Sequence, residues 1–449
     1  MSPALPARLD RLLRKTLRRF LNVQATEVWA IFWSFSYFFA LLCSYYILRP
    51  MRDEMGIAGG VENLQWLFSA TFVAMLVAVP LFGWLSSRFP RRRFLPYLYY
   101  FFIFDLLLFF VLFRSDITHA WVARAFFIWV SIFNLFVVSV FWSFMADLFS
   151  NEQAKRLFGF IAAGGTVGAL VGPVLTAGLA IPLGPTNLLL LSACFLLWAV
   201  FCVNRLIGCC TERQDSAAVN TTALPDTEQA MGGGVFAGIQ LVVRSPYLLG
   251  ICGLMLLFTT LATFLYFQQA QIIRDHFADS AERTAVFAAM DLAVNTLTIV
   301  IQIFVTGRLV KRLGLAVTLA LIPLLLGAGF AVLGSAPLLP VLVVVQVLRR
   351  AGNYAIMRPA REMLYVVLGR EEKYKAKNFI DTAVYRAGDA MSAWVYAGLR
   401  AMGFSLGSIA WLAVPVAGLW AWLAYTLGKR QGLIAASAEA IKPAIKYRL

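Results

Sequence analysis

Long apolar runs separated by short polar or basic stretches fill this chain from about residue 27 to residue 428. A helix needs roughly 20 apolar residues to cross a bilayer. That yardstick predicts twelve spans, at about 27–54, 62–86, 94–113, 120–148, 157–181, 187–207, 246–272, 284–307, 314–334, 338–367, 378–400 and 405–428. Helices are the element that fits, because every backbone group in lipid must be satisfied within its own segment or in a closed barrel. Residues 211–234 break the pattern. They are polar, Gly-rich and aperiodic, and read as a flexible linker between two six-helix halves. The expected organisation is a helical segment at 1–26, a first half at 27–207, a linker at 208–245, a second half at 246–428 and a basic tail at 429–449.

Composition narrows the class to an all-α polytopic membrane protein. The 449 residues are 61% hydrophobic and only 14% charged, with a mean hydropathy of +0.76, a balance no soluble domain needs. A net charge of +16 raises the question of nucleic acid, and its distribution answers it. With the N-terminus taken as cytoplasmic, most of the 39 Lys and Arg fall on the inner side. They lie ahead of Leu21, at 88–93, at Lys155 and Arg156, at 308–312, at 370–377 and in the C-terminal tail. The outer loops hold Arg114, Arg124, Arg274, Arg283 and Arg400. This asymmetry is the positive-inside rule, which puts both termini in the cytoplasm. The basic charge reports topology, and nucleic acid is not an expected partner.

Residues 8–21 set Leu9, Leu12, Leu13, Leu17, Phe20 and Leu21 on one helical face with Arg and Lys opposite. Such a helix lies on an anionic inner leaflet. It lacks the apolar core and small-residue cleavage site of a secretory signal, although a transit peptide shares its basic amphipathic character.

Other chemistry is scarce. Six cysteines lie in the spans or at their inner ends without metal-ligand spacing, and read as packing residues or free thiols. His119 and His276 fall in outer loops with no third ligand. No Gly-rich phosphate loop precedes a Lys-Ser/Thr pair, which argues against ATP-hydrolysing transport. No nucleophile–base set stands out, so neither an enzyme nor a cofactor is expected. Gly164-Gly165, Gly168 and Gly172 have the small-residue spacing of a tight helix–helix seam.

Against this background one device occurs twice: Arg49-Pro50-Met51-Arg52-Asp53 and Arg358-Pro359-Ala360-Arg361-Glu362. Charge at membrane depth is costly, and intramembrane arginines default to a functional reading. Arg offers a planar fork that holds two oxygens of a phosphate, and Pro removes an N–H and loosens the helix by a turn. Arg49, Arg52, Arg358 and Arg361 are therefore candidate anion contacts, with Asn353 and Tyr354 beside them on the tenth span. Asp53 and Glu362 are the expected partners of these arginines when cargo is absent, so that acid and cargo compete for one guanidinium. The plain structural reading has weight too. Acids at membrane depth roughly balance the bases, and buried charges must be paired. Asp147, near Lys155 and Arg156, and Glu362, near 308–312, read as gate latches. Asp381, Arg386 and Asp389 read as further gating or ion-pair residues, and Asp105 and Asp291 as possible proton carriers. Asp291, Asn295, Thr298 and Gln302 form a polar stripe on the eighth span that reads first as an interhelical seam. Helical rise puts Arg49 about 33 Å beyond Glu27 and Arg358 about 27 Å beyond Pro340 on an oppositely directed span, toward opposite faces. Tilt could bring both closer to the midplane.

The loop Gly307-Arg308-Leu309-Val310-Lys311-Arg312-Leu313-Gly314 resembles the Gly-x-x-x-[Asp/Lys]-Arg-x-Gly loop of the major facilitator superfamily. Gly83 to Arg93 is a weaker match that lacks the acid and the final glycine. The resemblance implies a 6+6 architecture with spans 1, 4, 7 and 10 lining a central cavity, working as a monomer. A narrower resemblance is to the ATP/ADP antiporters. LRPMRD (48–53) is similar to their Leu-Arg-Asp-x-Lys-Asp element, and FWSFMAD (141–147) to their Phe-Trp-[Gly/Ser]-Phe-Ala-Asn segment. AKRLFGFIAAGGTVGALVGP (154–173) is similar to their next helix. YAIMRPAREMLYVVL (354–368) resembles their Tyr-Ser-x-x-Asp-Pro-x-Lys-Glu-Met-x-Tyr run, and KYKAKNFIDTAVYRAGD (373–389) the loop and helix that follow. The chain departs from them at Pro50 and Arg358, where they carry acids, and at Asp389, where a base is common. The resemblance implies a multi-pass transporter of a bacterial inner membrane exchanging nucleotides or related phosphorylated anions. Proton-coupled symport of another anionic metabolite, and a non-transporting membrane sensor or scaffold, remain the alternatives. The repeated motif reads as a pair of lockable, cargo-sensitive gates.

Overall fold

The computed structural model describes residues 27–88, 91–115, 119–217 and 237–446. The expected amphipathic helix at 8–21 and the middle of the expected linker, 218–236, lie outside them, and the described ends of that linker are helical. The described residues are helical nearly throughout. In order they form α1 (Val28–Ala58), a 3₁₀ turn (Val61–Asn63), α2 (Leu64–Arg88), α3 (Arg91–Leu112), α4 (His119–Leu148), α5 (Asn151–Leu183) and α6 (Pro185–Ala217). A short α7 (Ala237–Arg244) leads into α8 (Pro246–His276), α9 (Ser280–Ile301) and α10 (Gly307–Ser335). Then come α11 (Leu339–Gly352), α12 (Arg358–Leu364), α13 (Arg370–Phe379), α14 (Tyr385–Ala401) and α15 (Leu406–Lys446). Three π turns, Gln302–Thr306, Asn353–Met357 and Ile380–Val384, link α9 to α10, α11 to α12 and α13 to α14.

Among the described residues, nine helical stretches are long and apolar enough to cross a membrane. One of them, Ser280–Ser335, holds two expected spans, because the loop predicted between them is helical. The chain bends there only at Gly314, whose φ of +74° is a left-handed conformation that an L side chain would strain. The expected spans at 338–367 and 378–400 fall on helices interrupted by π turns. Local signals account for other boundaries. Ser150 accepts from the Gln153 amide while its own amide donates to Gln153 Oε1, a capping box that starts α5. Ser245 caps α8 with Pro246 in its first turn.

The helices gather into two compact units. One takes the described residues within Met1–Ala58, Val77–Glu228 and Asp279–Ala289; the other those within Gly59–Leu76, Gln229–Ala278 and Met290–Leu449. The starts of the second and eighth spans are thus exchanged between the halves, an arrangement no local sequence signal announces. In the first unit α1 packs on α4, α5 and α6. Its core is aromatic: Phe38 and Phe141 stack with centroids 4.0 Å apart, and the buried Tyr37 and Tyr99 hydroxyls hydrogen-bond each other. In the second unit α8 packs on α14 and α15, and α10 on α11 and α15.

Lipid tails are as apolar as Leu, so close packing rather than hydrophobicity draws helices together in a bilayer. The glycine seam of α5 shows how. A Cβ at Gly164 would run into the Phe35 carbonyl, at Gly165 into the Phe38 ring, at Gly168 into the backbone of Phe39 and Cys43, and at Gly172 into Tyr46. The seam lets α1 approach α5 backbone to backbone, and its last contact fixes α1 one turn before Arg49. Gly168→Ala is expected to destabilise the protein by about 1–3 kcal/mol through overpacking against rigid backbone. Gly178→Ala, whose Cβ would meet nothing within 4 Å, serves as the control. Thermal melts of the two variants in one detergent check this, and equal midpoints would refute it.

Candidate anion-binding motifs

The first motif lies within α1, where Pro50 sits inside an otherwise continuous helix. Arg49 places its guanidinium 5.8 Å from the ring centre of Tyr46, a residue on the same helical face one turn earlier. Arg52 reaches 2.7 Å from Asp53 and lies 5.1 Å over the Phe127 ring of α4. Asp53, the expected partner, does pair with an arginine of its own motif.

The second motif opens α12 directly after the π turn 353–357. Arg358 lies over the Tyr354 ring at 5.4 Å and is exposed. Among the described residues it makes no ion pair. Arg361 is buried and points elsewhere: Nη2 is 3.2 Å from Asp381 Oδ1, and Nη1 contacts the Met255 sulfur. Glu362 departs from expectation. Its carboxylate is 2.6 Å from Lys377 Nζ rather than beside either arginine of its motif or the 308–312 cluster. The cause is helical geometry, since Arg361 turns inward toward Asp381 and its neighbour Glu362 turns outward, where Lys377 lies. The two motifs therefore share one arrangement by different means. In each, the first arginine lies on a tyrosine and the second is neutralised by an aspartate.

Around the second motif the charges form one cluster. Asp381 lies in electrostatic range of Arg361, Lys377, Glu362 and Arg358. Tyr385 lies in range of Asp389, Arg386, Tyr354 and Arg358. Arg386 pairs with Asp389 at 3.6 Å and lies over the Tyr385 ring. Tyr365 stands beside Asp381 and Arg361 with its hydroxyl buried and unbonded among the described residues. The Asn353 side-chain oxygen, one turn before Arg358, is likewise buried without a donor. Tyr365, Tyr385 and Lys377 were not expected at a site. The tyrosines preceding each motif arginine by three or four residues, Tyr46 and Tyr354, are the signal that was legible.

The remaining candidates lie apart from this cluster or bridge helices. Asp291 in α9 pairs with Arg350 in α11 at 2.5 Å, both buried. The polar stripe of α9 is buried at Asp291 and Asn295 and opens to an exposed Gln302, as an interhelical seam would. Gln269 of α8 and Gln346 of α11 hydrogen-bond, and Arg349 Nε donates to Gln346 at 2.9 Å. Asp105 accepts from the Trp129 indole N–H at 2.9 Å. Asp147 is exposed at the end of α4, and Arg156 beyond it pairs with the buried Glu27 at 3.1 Å. A cavity of about 450 Å³ between α10 and α11 is lined by Leu, Ile and Val with Arg349 alone as a charge, and offers no second fork to an anion. Among the described residues no cluster of His, Cys, Asp and Glu could hold a metal ion.

Comparison with known proteins bears on the family and the fold. The chain is 23% identical to ADP,ATP carrier protein 1 of Chlamydia muridarum over 94% of its own length and 92% of that protein's. It is also 23% identical to ADP,ATP carrier protein 1 of Chlamydia trachomatis, over 71% and 66% of the two chains. In fold it is similar to the nucleoside transporter NupG, with a TM-score of 0.61, 14% identity and coverage of 90% and 98%. A POT family transporter crystallised with 5-aminolevulinic acid matches with a TM-score of 0.60 at 10% identity, covering 90% and 96%. The sequence profile of the Major Facilitator Superfamily matches residues 11–370. The chain belongs to the Major Facilitator Superfamily, as a divergent relative of the ADP,ATP carriers.

Proposed function

We propose that this membrane transporter exchanges nucleotides or related phosphorylated anions by alternating access. Twelve spans, cytoplasmic termini, a bacterial inner membrane and a monomer complete the reading. The observation that carries it is the exposed guanidinium of Arg358 on the Tyr354 ring, echoed by Arg49 on Tyr46. An aromatic face holds a cation in place without neutralising it, so the fork of Arg358 stays available to a phosphate. Arg52 and Arg361 hold acids while the cargo is absent and exchange them for phosphate oxygens when it arrives. Asn353 supplies a buried amide to the same cargo. The similarity to the ADP,ATP carriers supports the class of cargo. Because of the departures at Pro50, Arg358 and Asp389 the reading extends from ATP and ADP to related phosphorylated anions.

Asp105 supports proton-coupled symport as a second reading, because among the described residues the indole N–H of Trp129 is its side-chain partner and no base stands with it. Uptake of labelled ATP, ADP and inorganic phosphate into proteoliposomes separates the two. Acceleration by unlabelled anion inside is the result expected for exchange, and acceleration by a pH gradient alone favours symport. Silence across a broad panel of phosphorylated anions would overturn transport and favour a scaffold.

A further inference from the structure

Pro359 has no N–H, so the carbonyl four residues earlier, at Ala355, loses its usual helical donor. The Arg358 N–H cannot replace it, because it reaches back across the π turn to the Asn353 carbonyl. Ala355 is fully buried, where an unmet carbonyl would be costly. The structure supplies a donor from elsewhere: the Thr306 hydroxyl lies 2.8 Å from the Ala355 carbonyl, 49 residues away in sequence. The same hydroxyl is 3.1 Å from the Ile301 carbonyl of its own π turn. One proton cannot serve both, and the shorter contact is the one across the helices.

Two loosened turns therefore meet at one hydrogen bond. Thr306 ends the π turn 302–306, and the next residues, Gly307 and Arg308, begin the basic first turns of α10, which bend at the left-handed Gly314. Ala355 sits in the middle of the π turn 353–357, immediately before Arg358. π turns inside α-helices recur at functional positions because they redirect the side chains that follow. Whatever holds the 353–357 turn thus sets where Arg358 and Arg361 point.

We propose that Thr306 is a positioning residue for the second arginine motif, its hydroxyl standing in for the amide that Pro359 lacks and tying the basic start of α10 to the turn before Arg358. The proposal deepens the transport reading, on which it rests for the role of Arg358. A consequence is that the basic start of α10 and the arginine site move together: displacing Thr306 removes the hydroxyl donor of the Ala355 carbonyl and loosens the turn.

The test uses a readout independent of cargo. In a cysteine-depleted background carrying Met357→Cys, a side chain buried within the turn, the alkylation rate at position 357 reports how often the turn opens. Thr306→Val keeps the shape and removes the donor, and is expected to speed alkylation about five- to hundredfold, the scale of one unmet buried carbonyl. Thr306→Ser restores the hydroxyl and the wild-type rate. Pro359→Ala added to Thr306→Val returns an N–H to Ala355 and is expected to suppress the effect, which no general packing defect at Thr306 would allow. In the otherwise native protein, Thr306→Val raises the KM for a transported anion with maximal rate little changed. Equal alkylation of Thr306→Val and its parent, or failure of Pro359→Ala to suppress, overturns the proposal. Absence of uptake by the wild type would sink the transport reading while leaving the alkylation result to judge Thr306.

Discussion

Arg283→Ala is expected to cost about 3–5 kcal/mol of stability, the largest loss of any single substitution considered for this chain. Arg283 grips Glu54 with both arms of its fork, Nε at 2.6 Å and Nη2 at 2.8 Å from separate carboxylate oxygens. Glu54 is wholly inaccessible to solvent and Arg283 is 13% exposed. Burying both charges cost solvation that the pair's own attraction roughly offsets. Removing the arginine leaves the carboxylate with that cost and no counterion, until it takes up a proton.

The same logic predicts an order among variants. Glu54→Gln strands the cation that has the easier route to solvent, and should cost less than Arg283→Ala. The double variant Glu54→Gln with Arg283→Gln removes both charges and keeps two groups able to hydrogen-bond. It should lie nearer the wild type than either single change, because a buried pair contributes little net stability over a neutral replacement. Thermal or denaturant melts in one detergent give the ranking. A loss below about 0.5 kcal/mol for Arg283→Ala, the scale of ordinary surface substitutions, would mean that water reaches this pair.

Elements set by the bilayer were legible in the sequence, and those set by distant partners were not. The long apolar helices followed from the 20-residue rule because lipid leaves the backbone no alternative. The α5 seam was legible for a related reason: only small residues permit the backbone approach at Gly164, Gly168 and Gly172. The Glu54–Arg283 pair was not, since its partners are 229 residues apart and meet only because the start of α9 joins the first unit.

The arginine motif was half legible. Its repetition, its acids and the flanking tyrosines are local and can be read at helical spacing. Which acid neutralises which arginine depends on the angle at which α12 leaves the π turn. The adjacent Asp53 serves in one case, and Asp381, from the π turn 380–384, in the other. The π turns themselves escaped sequence reading. A proline marks where an amide is missing, but the group that answers it, Thr306, is a threonine like any other until the helices are assembled.

Arg358→Ala is expected to reduce uptake of the transported anion about 10- to 150-fold with little change in melting temperature. That range is the 1.5–3 kcal/mol of a hydrogen bond to a charged group. Stability should hold because Arg358 is exposed, makes no ion pair among the described residues, and gives up its cation–π contact with Tyr354 and a longer-range attraction to Asp381. Arg361→Ala should behave in the opposite sense. It strands Asp381 and empties a buried position, so melting temperature falls along with transport. Arg358→Lys keeps the charge and loses the planar fork, and should fall between wild type and alanine. The comparison separates a guanidinium that only meets cargo from one that also holds the helices. Initial uptake rates in proteoliposomes, normalised to inserted protein, together with melts of the same preparations, provide it. If Arg358→Ala transports within about twofold of wild type, the loss of a charged hydrogen bond is not occurring and the anion must be held elsewhere. If Arg358→Ala instead melts early, the residue is a structural cation, and the open fork on Tyr354 does not carry the function assigned to it.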